Sequence, residues 1–139
     1  MSKSAEPYLD DLFAEAKAAQ ATAYAPYSRF RVGAALITPD GRIFSGCNVE
    51  NAAYPQGACA ETGAISEMAR AGGRRIQAIL VIGDGDGLCT PCGGCRQRIR
   101  EFAQNSTPVF IGGREGLRAS FTLGDLLPHS FGPENLRSP

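Results

Sequence analysis

Two short stretches concentrate the side chains that can do chemistry: Cys59-Ala60-Glu61 and Thr90-Pro91-Cys92-Gly93-Gly94-Cys95. Thr90 is a good N-cap residue and Pro91 suits the first helical position, so a helix is predicted to begin there, with Cys92 and Cys95 in its opening turns. Residues three apart share a helix face, and the free amides and dipole of a helix N-terminus favour thiolate over thiol. Both sulfurs then reach one ion, although a lone Cys-x-x-Cys pair is shared by zinc sites and redox disulfides. Cys59 opens a second predicted helix. Residues two apart point in nearly opposite directions inside a helix, but the entering residue is non-helical, so Cys59 and Glu61 can both face the open end. Three thiolates fill three positions of a tetrahedral zinc ion and leave the fourth for water, while a carboxylate that is not a ligand moves protons.

The five cysteines (47, 59, 89, 92 and 95) are an odd number, three of them within seven positions. No apolar run of a secretory signal follows Met1–Glu6, and nothing approaches the ~18 apolar residues of a membrane span. The expectation is a cytoplasmic protein that uses cysteine for metal rather than for disulfides. Cys89 precedes the predicted cap and is expected to be a spectator, as is Cys47, a small core residue. The single histidine, His129, lies in the tail and is expected to be solvated or packed rather than a ligand. At 139 residues the chain is expected to form one domain, 1–139. Fourteen basic side chains balance fourteen acidic ones, which argues against a polynucleotide partner and for a small, neutral ligand.

The elements that must position these residues follow from periodicity. Residues 7 to 23 have the pattern of an amphipathic helix with acids near its start. Phe30–Ile37 and Arg42–Val49, joined through Pro39-Asp40-Gly41, read as a hairpin. Ala60–Ala71 is a helix ending at Gly72-Gly73, Ala78–Ile82 a strand covered on both faces, Pro91–Phe102 a helix, and Pro108–Ile111 a further strand. This order predicts an α/β fold, a three-layer α/β/α sandwich with a mixed, mostly parallel sheet and an antiparallel hairpin at one edge. The tail from Leu126 has apolar residues but little periodicity, and either packs on a neighbouring subunit, covers its own chain, or frays.

Cys59-Ala60-Glu61 followed by Pro91-Cys92-Gly93-Gly94-Cys95 matches the zinc deaminase signature in order and spacing. The chain further resembles the small, homotetrameric cytidine deaminases in residues 25–35 (APYSRFRVGAA), in residues 46–52 (GCNVENA), in Cys95-Arg96-Gln97, and in Leu126-Leu127-Pro128 followed by Phe131. The resemblance runs from about residue 20 to the C-terminus and implies the cytidine deaminase-like fold. It implies zinc on Cys59, Cys92 and Cys95, and Glu61 as the group that takes a proton from zinc-activated water, passes it to ring N3 and later protonates the leaving amine. Cytidine would give uridine and ammonia, and 2'-deoxycytidine would serve as well, the reaction of pyrimidine salvage. The same resemblance places Asn48 and Glu50 on the ribose and Phe30 against the pyrimidine, adds Ala60 to the substrate-binding residues, and assigns Tyr54 and Phe131 to the site of a neighbouring chain in a homotetramer. Residue geometry agrees in part, since along a strand over 42–50 Asn48 and Glu50 point to one face. The same two residues also suit a role in satisfying loop backbone, with Phe30 in the core.

Three thiolates leave a zinc site at net minus one, so something positive should offset it. Many Cys-ligated relatives carry an arginine directly after the glutamate; here that position is Thr62. The helix N-termini, the Thr62 hydroxyl and Arg96 are the expected substitutes. A nucleic-acid-binding zinc module would show two close ligand pairs and a basic surface, which this chain lacks. A thiol-disulfide redox protein using Cys89, Cys92 or Cys95 would need neither Cys59 nor Glu61. Among deaminases the alternative is the aminonucleoside-antibiotic type, similar to blasticidin S deaminase; residues 48–51 (NVEN) favour the cytidine type, because a ribose diol needs that carboxylate.

Overall fold

The computed structural model describes residues 7–137. Met1–Glu6, part of the segment in which no signal was read, and the last two residues of the tail lie outside them. Helix α1 (Leu9–Ala21) leads to the hairpin β1 (Val32–Ile37) and β2 (Ile43–Cys47), then α2 (Ala60–Arg70), β3 (Ala78–Gly83), α3 (Gly93–Phe102), β4 (Pro108–Gly113) and β5 (Gly116–Thr122). Two short helices, α4 (Leu123–Leu126) and α5 (Glu134–Arg137), end the described chain.

The five strands lie in the order β2-β1-β3-β4-β5. Side chains alternate across the sheet, so β3 divides its apolar run between two cores. Leu80 and Ile82 pack with Leu9, Leu12 and Ala16 of α1 on one face, whereas Ile79 joins Ala64, Met68 and Ile99 of α2 and α3 on the other. The three layers are therefore those expected. Each fully buried leucine or isoleucine in these cores contributes roughly 2 kcal/mol.

The sheet is mixed, but it is not mostly parallel. β1 pairs antiparallel with both β2 and β3, β4 pairs antiparallel with β5, and β3–β4 is the one parallel pair. The physical reason is an inserted strand. β2 and β3 point the same way, as a strand-helix-strand unit requires, but β1 lies hydrogen-bonded between them and α2 crosses over it. β5 was not read in the sequence; its apolar residues, Leu117, Ala119 and Phe121, alternate with polar ones as on a half-exposed edge strand.

Two glycines let helices approach the hairpin to backbone contact. A Cβ on Gly46 of β2 would stand 2.6 Å from the Ala60 carbonyl oxygen at the start of α2, and one on Gly33 of β1 would stand 2.6 Å from the Gln20 amide nitrogen of α1. The tail is held by α3 rather than frayed: Gln97 donates to the Phe131 carbonyl (2.8 Å), and Arg100 pairs with Glu134 and donates to Ser130 Oγ (2.9 Å). Because the neighbour of Gly46 is rigid helix backbone, Gly46→Ala is expected to cost about 2 kcal/mol and to lower Tm by roughly 7 °C in calorimetry. An unchanged Tm would mean that the α2–β2 seam yields.

Candidate active site

β2 and β3 end on the same side of the sheet, and α2 and α3 begin there after their loops. Both helices start at a cysteine. Cys59 (φ −78°, ψ 159°) is the N-cap of α2 and Cys92 (φ −66°, ψ 170°) the N-cap of α3, each extended where a helical residue would turn its side chain away. The cap of α3 lies two residues beyond the predicted one, Thr90. Arg96 takes the expected capping group instead, donating to Thr90 Oγ1 (3.2 Å) and to the Pro91 carbonyl (2.6 Å).

The ligand atoms of Cys59, Cys92 and Cys95 all lie within 4.8 Å of one another, with Cys59 Sγ and Cys92 Sγ 4.0 Å apart. A tetrahedral zinc with Zn–S bonds of about 2.3 Å sets its sulfurs about 3.8 Å apart, so small side-chain movements seat the ion. Soft thiolates at this separation suit zinc and not calcium or magnesium. The thiols are electrostatically unequal. The Cys95 amide turned toward Cys92 sulfur holds that thiol below its ordinary pKa, although no formal capping hydrogen bond forms. Burial raises Cys59, and burial together with the Glu61 charge raises Cys95. A dication among them reverses that penalty by favouring the thiolates.

Glu61, in the first turn of α2, is 4% exposed, and burial raises its carboxyl above the usual range. It lines a cleft of about 340 Å³ together with Asn48, Glu50, Tyr54, Cys59, Ala60 and Cys92. Clefts of this size hold small molecules. β2 stops at Cys47, short of the predicted strand, but extended pairing continues through Val49, which exchanges two hydrogen bonds with Ala58 (both 2.9 Å). Asn48 and Glu50 thus remain side by side at the cleft. Both also bind loop backbone. Asn48 accepts from the Val32 amide (2.9 Å) and donates to the Phe30 carbonyl (2.9 Å), which fixes the entry to β1. Glu50 accepts from the Tyr27 (2.9 Å) and Ser28 (3.1 Å) amides and from the Ser28 hydroxyl. The hydroxyl first, then those amides, hold its carboxyl below the usual range.

Phe30 follows Arg29, whose φ of 62° is the left-handed conformation that only a constrained non-glycine residue adopts. Its ring is partly exposed near Gly83, beside Cys89, rather than in the core. Tyr54 is 78% exposed and meets Tyr27 edge-on, with ring centroids 6.3 Å apart. Phe131 is exposed and is not among the residues lining the cleft of its own chain. Cys89 borders the cleft, its sulfur outside the three-sulfur cluster and its pKa pushed up to about 11 by burial. Cys47 is half-buried rather than core, and His129 is exposed.

Of the expected charge offsets, the α3 N-terminus acts on Cys92, but neither expected side chain reaches a sulfur. Arg96 touches no sulfur; it braces the loop before α3 and donates to the Leu126 carbonyl (2.8 Å). Thr62 makes no hydrogen bond to the cluster among the described residues. Arg98 does: its Nη1 donates to Cys95 Sγ at 3.6 Å. Arg98 and the Ser28 clamp on Glu50 are the site residues that the sequence reading missed. The three-residue step from Cys95 to Arg98 was the signal available for the first; nothing local marked the second.

A family model described as cytidine and deoxycytidylate deaminase zinc-binding region matches residues 8–111. The cytidine deaminase of Sporosarcina psychrophila is 44% identical over 128 residues, covering 92% of this chain and 94% of that protein. The crystal structure of cytidine deaminase from Burkholderia pseudomallei superposes with a TM-score of 0.82 at 45% identity, covering 88% of this chain and 98% of that one. That of Mycobacterium tuberculosis gives a TM-score of 0.75 at 40% identity, covering 88% and 96%. Paired cysteine-capped helices, a buried glutamate and these relatives agree, and the chain belongs to the zinc-dependent cytidine and deoxycytidylate deaminase family.

Proposed function

We propose that this protein hydrolytically deaminates cytidine and 2'-deoxycytidine, releasing ammonia, as one deaminase domain spanning 1–139 that serves pyrimidine salvage in the cytoplasm. The observation that carries the reading is the buried Glu61 carboxyl beside three cysteine sulfurs, in a cleft that also presents Asn48 and Glu50. Five cysteines without a disulfide suit a reducing compartment. Cys59, Cys92 and Cys95 hold zinc, which when bound acts as a Lewis acid and makes water nucleophilic near neutral pH. Glu61 carries water's two protons in turn, the first to ring N3, where it stays, and the second, from the hydroxyl formed at carbon 4, to the amine that leaves. Its burial keeps bulk water from competing and raises its carboxyl above the usual range, which strengthens it as a proton acceptor. Asn48 and Glu50 retain unused hydrogen-bonding capacity after their backbone contacts and bind the ribose hydroxyls. Phe30 and Ala60 bound the base.

A spectrophotometric cytidine assay tests the reaction. Glu61→Gln is expected to lower kcat by at least about 100-fold while zinc content stays at one per chain. A strong chelator should abolish turnover of the wild type, and added zinc should restore it. No ammonia release by zinc-loaded wild type would sink the proposal.

The Glu50 clamp sets a pH dependence. Its folded pKa is depressed, so the ionised form and the contacts it makes persist above the unfolded value and are lost only as pH falls through the lowered one. KM for cytidine should therefore hold steady down to about pH 5, above the ordinary glutamate pKa of about 4.3. Ser28→Ala removes the largest cause and should move the acid limb of the KM profile to higher pH; superimposable profiles would refute the clamp.

We further infer a homotetramer in which Phe131 reaches a neighbour's cleft, while Tyr54 borders that of its own chain. Exposed aromatic rings at Tyr24, Tyr27, Tyr54 and Phe131 support it, since large apolar rings gain from burial. Sedimentation should give the mass of about four chains, and Phe131→Ala should raise KM. A monomer at micromolar concentration would overturn this assembly.

A further inference from the structure

Three thiolates around a dication carry one unit of excess negative charge, and α3 places three arginines close by, at 96, 98 and 100. Two are engaged elsewhere: Arg96 holds the Thr90–Pro91 loop and the Leu126 carbonyl, and Arg100 is paired with Glu134. Arg98 differs. Among the described residues it forms no ion pair, although its charge reaches the Glu61 carboxyl, and its side chain donates to Cys95 Sγ (3.6 Å). Helix geometry accounts for this contact. Side chains lean toward the helix N-terminus, so a residue at i+3 covers position i and the turn before it. Gly94 supplies the seat: a Cβ there would stand 3.2 Å from Arg98 Nη1 and 3.9 Å from Cζ, so the guanidinium lies over the bare backbone next to the cluster. A cation in the opening turns of a helix opposes the helix dipole, and an anion beside it removes that penalty. Arg98 also borders the groove between α2 and α3 that Thr62 lines.

We propose that Arg98 is the positioning residue of the metal centre, donating to the Cys95 thiolate, cancelling the excess negative charge and so fixing both the sulfur and the affinity for zinc. This rests on the three-thiolate zinc site set out above. Hydrogen bonds to a metal ligand of this kind are typically worth 10–100-fold in metal affinity.

The test is a competition for zinc between the protein and a chromophoric chelator, with wild type, Arg98→Met and Arg98→Lys, together with melting of each metal-free chain. Arg98→Met keeps the length and apolar stem but not the charge, and is expected to weaken zinc binding at least about 10-fold. Arg98→Lys should recover most of the loss, and the metal-free proteins should melt together. Wild-type affinity in Arg98→Met would overturn the proposal, as would Arg98→Lys falling as far as Arg98→Met, or a metal-free Arg98→Met that melts lower by as much as the zinc-loaded form does. Failure of the zinc site itself would appear separately, as wild type that takes up no zinc.

Discussion

Sulfur atoms from two helices must come within bonding reach of one ion, and most of the architecture follows from that requirement. Cys59 and Cys92 occupy N-cap positions, the one place on a helix where a side chain faces back over the open end and toward the free amides. Setting two such ends together requires α2 and α3 to start on the same side of the sheet, on the same face. β2 and β3 run in the same direction and deliver them there. The bare backbone at Gly46 then sets how closely the start of α2 can press on β2. Glu61 and Ala60 are placed by the same contact, so the buried carboxyl and the cysteine cluster share one mechanical support.

The cleft is bounded by side chains that work twice. Asn48 and Glu50 brace residues 27–32 and also present polar atoms to the cavity. A residue engaged by the backbone has few rotamers left to lose, so the entropy of ordering it is met on folding rather than on binding. The roles of backbone support and ligand contact are therefore compatible at these positions.

Legibility in the sequence followed the range of the interactions concerned. The metal residues and Glu61 could be read because caps, short spacings and helix faces are local properties, and the two-layered cores followed from the apolar runs at 78–82 and 108–111. Strand direction could not be read. A strand-helix-strand order implies parallel strands but does not say whether another strand lies between them, and here β1 does. The cap moved from Thr90 to Cys92 because Arg96, six residues on from Thr90, competes for the threonine hydroxyl. Besides the helix N-termini, a side-chain donor to the sulfurs was expected at Thr62 or Arg96 and lies at Arg98, a choice settled by which arginines already had partners 30 or more residues away.

The strand inserted between β2 and β3 also has a bearing on how the chain is made. Cys59 and Cys92 are 33 positions apart, and the sheet that holds their helices together includes the β1–β3 pairing, a contact between distant parts of the chain. Such pairings form late relative to helices and hairpins. The three-sulfur geometry depends on that pairing as well as on the two helix ends.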